Sequence, residues 1–229
     1  MSAEFETLLK NYDRYLKDAD LYEEFEPIKE FGHRFQETMM VYSAAIREVR
    51  TKLEVLNDEF QIRSRRNPIR YINHRIKRPE SIVEKMHRRG FEISLDSMIN
   101  NLNDIAGIRV VCGYASDIYD IADMLKKQDD VEVLIEKDYI KNPKENGYRS
   151  LHLVVEIPVF FSDRKQFVKV EVQIRTMAMD FWASLEHQLQ YKKHHKKGKA
   201  LKKELFSCAI DVRNMDQRML DLRQSIENV

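Results

Sequence analysis

Four groups of residues in this chain have the types and spacings that chemistry on phosphates requires. Arg75 and Lys77 stand two apart, on one face of an extended strand, and Ser81 and Lys85 stand four apart, on one side of a helix. Pro79 near the start of that helix puts Ser81 and the first backbone N–H groups where an anion is favoured, although Ser81-x-x-Glu84 also has the spacing of a capping box. Asp104 precedes an apolar run that carries Arg109, and Glu171 lies in a later strand pattern. Two carboxylates from different strands would make a hard oxygen site suited to Mg²⁺, which neutralises phosphate oxygens and orients attack. Spacing alone leaves open a turn or cap residue at Asp104 and an ion-pair partner at Arg109. The fourth group is Lys141-Asn-Pro-Lys144-Glu-Asn-Gly147-Tyr148-Arg-Ser150-Leu-His152. A glycine-flanked tyrosine there offers a flat face to a base and the lysines can hold phosphates; a solvated loop with a partly buried tyrosine fits equally well.

The elements that must position these residues are legible from periodicity. Val41, Ala44, Ala45, Val49, Leu53 and Leu56 predict one long helix over about 35–60. Asn67-Pro68 ends that pattern, a short strand follows over 69–76, and a helix opened by Pro79 closes at Gly90. Ile108–Cys112 reads as a buried strand, 117–127 as a helix, 131–136 as a strand and 138–147 as a turn-rich loop. Two alternating strands follow, over 150–157 and 167–175. In the second, Lys169, Glu171, Gln173 and Arg175 face one way and Val168, Val170, Val172 and Ile174 the other, as in any half-exposed strand. Helices occupy 176–228, broken near Gly198. Asp180, Ser184, His187 and Tyr191 line one side of the first of them, with Trp182, Leu185 and Leu189 as core on another. The order predicts an α+β fold: one mixed sheet flanked by helices, with long N- and C-terminal helices. Leu201, Leu205, Phe206, Ile210, Met215, Met219 and Leu222 exceed what so small a sheet needs as cover, which fits either self-association or packing back onto the domain.

Composition narrows the class. Of 229 residues, 43% are hydrophobic and 34% charged, enough for a core beneath a densely charged surface and unlike a disordered chain. The 39 basic and 38 acidic residues nearly cancel, yet Gln61–Gly90 carries ten basic residues against two acidic ones, a focused positive potential whose natural partner is phosphate. Lys192–Lys203 is a second basic block, either an attractor of phosphates or a solvated loop. His194-His195 has no third ligand and reads as surface. Cys112 and Cys208 form no disulfide framework and no zinc spacing. The acidic start has no signal-peptide pattern and no apolar run approaches the ~20 residues of a membrane span, so a soluble intracellular protein is expected.

Arg75-x-Lys77-x-x-x-Ser81-x-x-x-Lys85, Asp104-x-x-Gly107-x-Arg109, Lys141-x-x-Lys144-x-x-Gly147-Tyr148-x-Ser150-Leu-His152, Glu171-Val-Gln173-Ile-Arg175-Thr and Glu186-His187 together resemble the (p)ppGpp synthetase family, the GTP pyrophosphokinases of the RelA/SpoT superfamily. Five such motifs in family order across about half the chain make the resemblance specific. No His-Asp dipeptide occurs, so the hydrolase half of bifunctional members is expected to be absent, and the length resembles the small alarmone synthetases. The resemblance implies a nucleotidyltransferase-like synthetase domain over 1–229, with a helical extension over 1–61, a catalytic core over 62–192 and oligomerising helices over 193–229. It implies a cytoplasmic homotetramer, Mg²⁺-dependent, that moves the β,γ-pyrophosphate of ATP to the 3′-hydroxyl of GDP or GTP and leaves AMP. Arg75 and Arg109 would sandwich adenine, Lys77, Ser81 and Lys85 would hold ATP phosphates, and Asp104 and Glu171 would bind Mg²⁺ as the catalytic carboxylates. Tyr148 would stack on guanine, with Lys141, Lys144, His152, Gln173 and Asp180 around the acceptor. Asp180 stands where some relatives carry Asn, which bears on acceptor preference. The rival reading is a non-catalytic RNA- or nucleotide-binding protein that uses the same basic stretch and needs neither carboxylate.

Overall fold

The computed structural model describes residues 26–191 and 198–227, together with Thr7. Among them are six helices and five strands in the order α1 (Glu26–Ser64), β1 (Ile69–Ile76), α2 (Pro79–Arg89), α3 (Leu95–Asn101), β2 (Ala106–Cys112), α4 (Ala115–Lys126), β3 (Glu132–Asp138), β4 (Leu151–Phe160), β5 (Lys165–Thr176), α5 (Met177–Tyr191) and α6 (Gly198–Glu227). The strands form one mixed sheet in the order β1-β2-β5-β4-β3. Strands β1 and β2 are antiparallel: Lys77 N–H donates to the Ile105 carbonyl (2.8 Å) at one end and Gly113 N–H to the Pro68 carbonyl (3.1 Å) at the other. A tight loop, with Phe161 N–H on the Arg164 carbonyl (2.8 Å), turns β4 into β5.

By their internal packing the residues form two compact units. Of the described residues, the first holds those up to Val49, His74–Gly107 and Glu156–Glu171; the second holds Arg50–Asn73, Ile108–Val155 and those from Val172 onward. In the first, α2 is fixed at both ends. Pro79 opens it without a side-chain cap, so Ser81 lies in the first turn and the capping-box alternative does not hold. Gly90 closes it at φ +69°, with its own N–H on the His87 carbonyl and that of Phe91 on the Met86 carbonyl (both 3.0 Å), the left-handed closure that favours glycine. Between them Ile82, Val83 and Met86 are buried. Helix α3, which periodicity does not reveal, begins where the Ser94 hydroxyl accepts from Ser97 N–H (3.2 Å) and buries Leu95 and Met98.

In the second unit, Ile108, Val110, Val111, Leu151, Leu153, Val155, Val172 and Ile174 are buried, and α4 adds Ile118, Ile121, Ala122 and Leu125. The side chain of Asp117 is 1% exposed, accepting from Tyr114 N–H (3.3 Å), from Arg66 and from Arg223 of α6 (3.2 Å). Helix α6 docks through Ala209 and Asp216, while Leu201, Phe206, Ile210, Met215, Met219, Leu222 and Ile226 are all at least 40% exposed. Packing back onto the domain thus accounts for only part of its apolar surface. Residues 192–197, half of the second basic block together with His194-His195, and the acidic stretch ahead of α1 lie outside the described residues. Among the described residues, no helix is long and apolar enough to cross a membrane.

Candidate active site

The first unit gathers the phosphate-suited charges. Lys77 follows β1, Lys85 lies on α2 and Asp104 lies just before β2; these meet at one carboxylate oxygen, Asp104 Oδ2, which stands 3.1 Å from Lys77 Nζ and 2.7 Å from Lys85 Nζ. Burial alone would raise the Asp104 pKa, but the hydrogen bond from Lys85 and the charges of both lysines outweigh it and hold the carboxyl below its ordinary value. Asp104 Oδ1 is buried with no hydrogen-bond donor, an acceptor oriented for something the protein itself does not supply. Arg75 is exposed on β1 beside Gly107, where an added Cβ would lie 3.7 Å from its Cγ. Glu171 is half-buried on β5 in the same unit. A cleft of 620 Å³, lined by Phe35, Met39, Ile76, Lys77, Arg78, Pro79 and Glu80, opens at the start of α2 and lies within the size range of small-molecule sites. No group of three His, Cys, Asp or Glu side chains among the described residues could hold a metal ion unaided. A hard cation here would take one or two carboxylates and complete its shell with phosphate and water, the usual habit of Mg²⁺. The open Asp104 Oδ1 fits that role.

The second unit builds an aromatic cluster. Lys144 N–H donates to the Tyr148 carbonyl (3.2 Å) and Gly147 N–H to the Lys144 carbonyl (2.8 Å), which closes the loop into a turn with Gly147 at φ +90°. A side chain at Gly147 would put its Cβ 2.5 Å from Ala209 Cβ, so glycine is required for both its backbone angle and its contact with α6. Asn146 accepts from Tyr148 N–H and donates to Glu186 of α5 (both 3.1 Å), which ties the loop to that helix. The Tyr148 hydroxyl and His152 Nε2 are hydrogen-bonded at 2.9 Å. Tyr139 packs edge-on against both rings, at 6.1 and 5.2 Å between centroids. Lys144 Nζ sits 4.7 Å from the Tyr148 ring centre and 4.6 Å from that of Tyr139. Lys141, placed with it by sequence, instead lies beside Asp138 (3.5 Å) and the Tyr119 ring (5.1 Å), with 71% of its side chain exposed.

Beside the Tyr148 ring lies Arg175. The alternating pattern puts it on the polar face of β5, yet it is 2% exposed. Burial pushes its pKa down, with the neighbouring charge of Arg109 acting in the same direction. Its Nη2 donates to Gln173 Oε1 (2.9 Å), which fixes the orientation of that amide, and its Cζ stands 5.8 Å from the Tyr148 ring centre. Asp180, in the first turn of α5, accepts from the Tyr71 hydroxyl (2.7 Å) and stands 3.4 Å from Arg109 Nη1 and 3.5 Å from Arg175 Nη1. Partial burial and, next, the Asp180 carboxylate raise Tyr71 to about 12. Thr176 accepts from Met179 N–H (3.1 Å) to start α5 and donates to Asp216 of α6 (2.9 Å). The side chains of His187 and Tyr191 lie outside the described ones. Tyr71, Tyr139 and Arg175 escape sequence reasoning as site residues; only Arg175, within the Glu171–Thr176 motif, carried a signal that could have flagged it.

The first unit offers a cation-rich cradle with an unsatisfied carboxylate oxygen, and the second a flat aromatic surface flanked by cations. A family model described as "Region found in RelA / SpoT proteins" matches residues 74–196. GTP pyrophosphokinase YwaC of Bacillus subtilis (strain 168) is 42% identical over 189 residues, covering 82% of this chain and 90% of that protein. The crystal structure of small alarmone synthetase 1 from Bacillus subtilis bound to its product pppGpp shares 32% identity with a TM-score of 0.77, covering 86% of this chain and 100% of that one. The same synthetase bound to AMPCPP gives 30% identity and a TM-score of 0.72 over 86% of this chain and 100% of that one.

Proposed function

The chain belongs to the RelA/SpoT family, and on that premise we propose that it is a (p)ppGpp synthetase, transferring the β,γ-pyrophosphate of ATP to the 3′-hydroxyl of GDP or GTP. The observation that carries this reading is Asp104, a carboxylate shared by two lysines on one oxygen and left open on the other. Arg75 and Arg109 are the adenine-binding residues of this reading, and Lys77, Ser81 and Lys85 take the ATP phosphates. Lys77 and Lys85 pair with Asp104 through single ion-pair contacts, and their ammonium groups would turn to the phosphates of a bound ATP, charge-assisted partners of the same kind. Asp104 and Glu171 would hold Mg²⁺, which when bound supplies charge neutralisation at the phosphate oxygens.

Tyr148 stacks on guanine, Lys144 and His152 flank it, and Gln173, oriented by Arg175, offers its amide to the acceptor. Lys141, on the rim, serves acceptor phosphates at longer range. The acceptor 3′-oxygen bonds to the β-phosphorus as the bond from that phosphorus to the α,β-bridging oxygen breaks, so that AMP leaves with that oxygen. Glu171 orients the attacking hydroxyl and receives its proton; because a metal lowers a carboxylate's basicity, positioning is the larger contribution. The exposed apolar face of α6 supports assembly into a homotetramer, which light scattering of the purified protein measures directly. A cytoplasmic enzyme would meet all of these substrates.

The test is product analysis with ATP, Mg²⁺ and GDP or GTP. Equal amounts of AMP and of a guanine nucleotide with two additional phosphates are expected, and Glu171→Gln should remove both while leaving the melting temperature in place. Pyrophosphate in place of AMP would overturn the reading. So would untouched ATP accompanied by tight, salt-dependent RNA binding.

A further inference from the structure

Three strands deliver side chains, all from the second unit, to Asp180. Tyr71 comes from β1, Arg109 from β2 and Arg175 from β5, while Asp180 itself lies in the first turn of α5. The two carboxylate oxygens are used differently. Oδ2 accepts a short hydrogen bond from Tyr71, which anchors the carboxylate. Oδ1 is buried and accepts no hydrogen bond; it stands at nearly equal distances from the two guanidinium groups, 3.4 Å from Arg109 and 3.5 Å from Arg175. Arg109 Nε and Arg175 Nε are likewise buried without hydrogen-bond partners. Both arginines are therefore under-satisfied and share one acceptor at a distance beyond that of a good charge-assisted bond. A small movement toward either one shortens that contact and lengthens the other.

We propose that Asp180 is a positioning residue that couples the ATP site to the acceptor site, because Arg109 and Arg175 compete for its Oδ1. The inference rests on the roles given above to Arg109 and Tyr148. When adenine draws Arg109 onto its face, Oδ1 is left to Arg175, and a full ion pair fixes Arg175 against the Tyr148 ring and Gln173. The acceptor surface is then set before the guanine nucleotide arrives. By linkage the reverse holds to the same degree: a bound acceptor raises affinity for ATP by the same factor. Tyr71, raised to about 12, stays protonated and keeps donating to Oδ2 at neutral pH, so the pivot remains fixed while Oδ1 changes partner.

The experiment measures the affinity of GDP with and without saturating AMPCPP in Mg²⁺ buffer, by calorimetry on the full chain. AMPCPP carries a methylene between its α- and β-phosphorus atoms, so AMP cannot leave and binding is read without turnover. The wild-type protein is expected to bind GDP about 5-fold or more tightly with AMPCPP present, within the usual range of coupling between sites. Asp180→Asn, which keeps shape but removes the charge for which the arginines compete, should bring that factor close to 1. Tyr71→Phe should reduce it in part, and decides the question if Asp180→Asn does not fold.

If Asp180 only contacted the acceptor base, GDP affinity would change equally with and without AMPCPP and the factor would survive, which overturns the proposal. A wild-type factor of 1 in a protein that makes (p)ppGpp also overturns it while leaving the proposed activity standing. Absence of pyrophosphotransfer by the wild-type protein removes the proposed activity itself, and that result is seen before any variant is made.

Discussion

The lysine–carboxylate cluster of the first unit and the aromatic cluster of the second are built on opposite plans. Lys77 and Asp104 flank the paired strands β1 and β2, where Lys77 N–H donates to the Ile105 carbonyl (2.8 Å), Lys85 comes from α2, and the three side chains meet through charge at a single oxygen. Tyr148, Tyr139, His152 and Lys144 lie within a short stretch of chain, interlocked by ring contacts, a closed turn and the packing of Gly147 on α6. The charge cluster is held by ion pairs, which another anion can replace, and the ring cluster by packing and a closed turn. Phosphoryl chemistry needs the first property, since charge moves during the reaction. Recognition of a flat base needs the second, since a preformed face costs little ordering on binding.

Asp104→Asn breaks the contrast most sharply. Turnover should fall about 100-fold or more, with the acceptor KM nearly unchanged, in steady-state assays varying each nucleotide. The same substitution removes the counter-charge of two lysines, and should cost about 1–3 kcal/mol in denaturant unfolding. Because Asp104 is held below its ordinary value, its ion pairs stabilise the fold above that value and are lost only as pH falls through the depressed one. The stability gap between wild type and Asp104→Asn should therefore persist from about pH 7 to about pH 5 and close in stronger acid.

Tyr148→Ala tests the other cluster. It should raise the acceptor KM about 10- to 100-fold through lost stacking, with a far smaller change in kcat, whereas Tyr148→Phe, which removes the hydroxyl that meets His152 and keeps the ring, should cost a few-fold. Equal effects of Ala and Phe would mean that the hydroxyl, and not the ring face, does the recognising. Gly147→Ala should destabilise the fold by about 1–3 kcal/mol, read by denaturant unfolding, because its φ of +90° and the approach of Ala209 both exclude a side chain. The smallest effect concerns thiols. Burial pushes the Cys112 thiol far up while Cys208 is exposed, so a thiol reagent should label Cys208 alone until the protein unfolds, as mass spectrometry of the intact chain would record.

Local rules make much of the fold legible. The strand over 69–76 and the helix from Pro79 to its Gly90 stop stand as spacing and turn chemistry predict. Strands β4 and β5 run further at their hairpin, to Phe160 and from Lys165, because pairing carries the ladder past the alternating residues. Helix α3 has two buried residues in one short stretch, too few for a period, and only the Ser94 cap announces it. In the site, the positions of Lys77, Lys85 and Asp104 are visible in sequence, but their meeting at one oxygen is a property of how the elements pack. Arg175 shows the limit of alternation, since a residue on a strand's polar face is still buried when a helix start and an aromatic loop cover that end. Asp180 gathers partners from three strands that no local window contains.

Asp117 has a consequence for how the chain is made. Its buried carboxylate is served by Arg66, already synthesised when Asp117 appears, and by Arg223, which follows it by 106 residues. While a ribosome is still translating α5, α4 can form and bury Asp117 against one arginine, but the second cation does not yet exist. A nascent chain arrested before residue 223 would hold that carboxylate only half-neutralised and leave the Tyr114 ring without the guanidinium that covers it. The last turns of α6 to emerge thus complete a helix that was translated more than a hundred residues earlier.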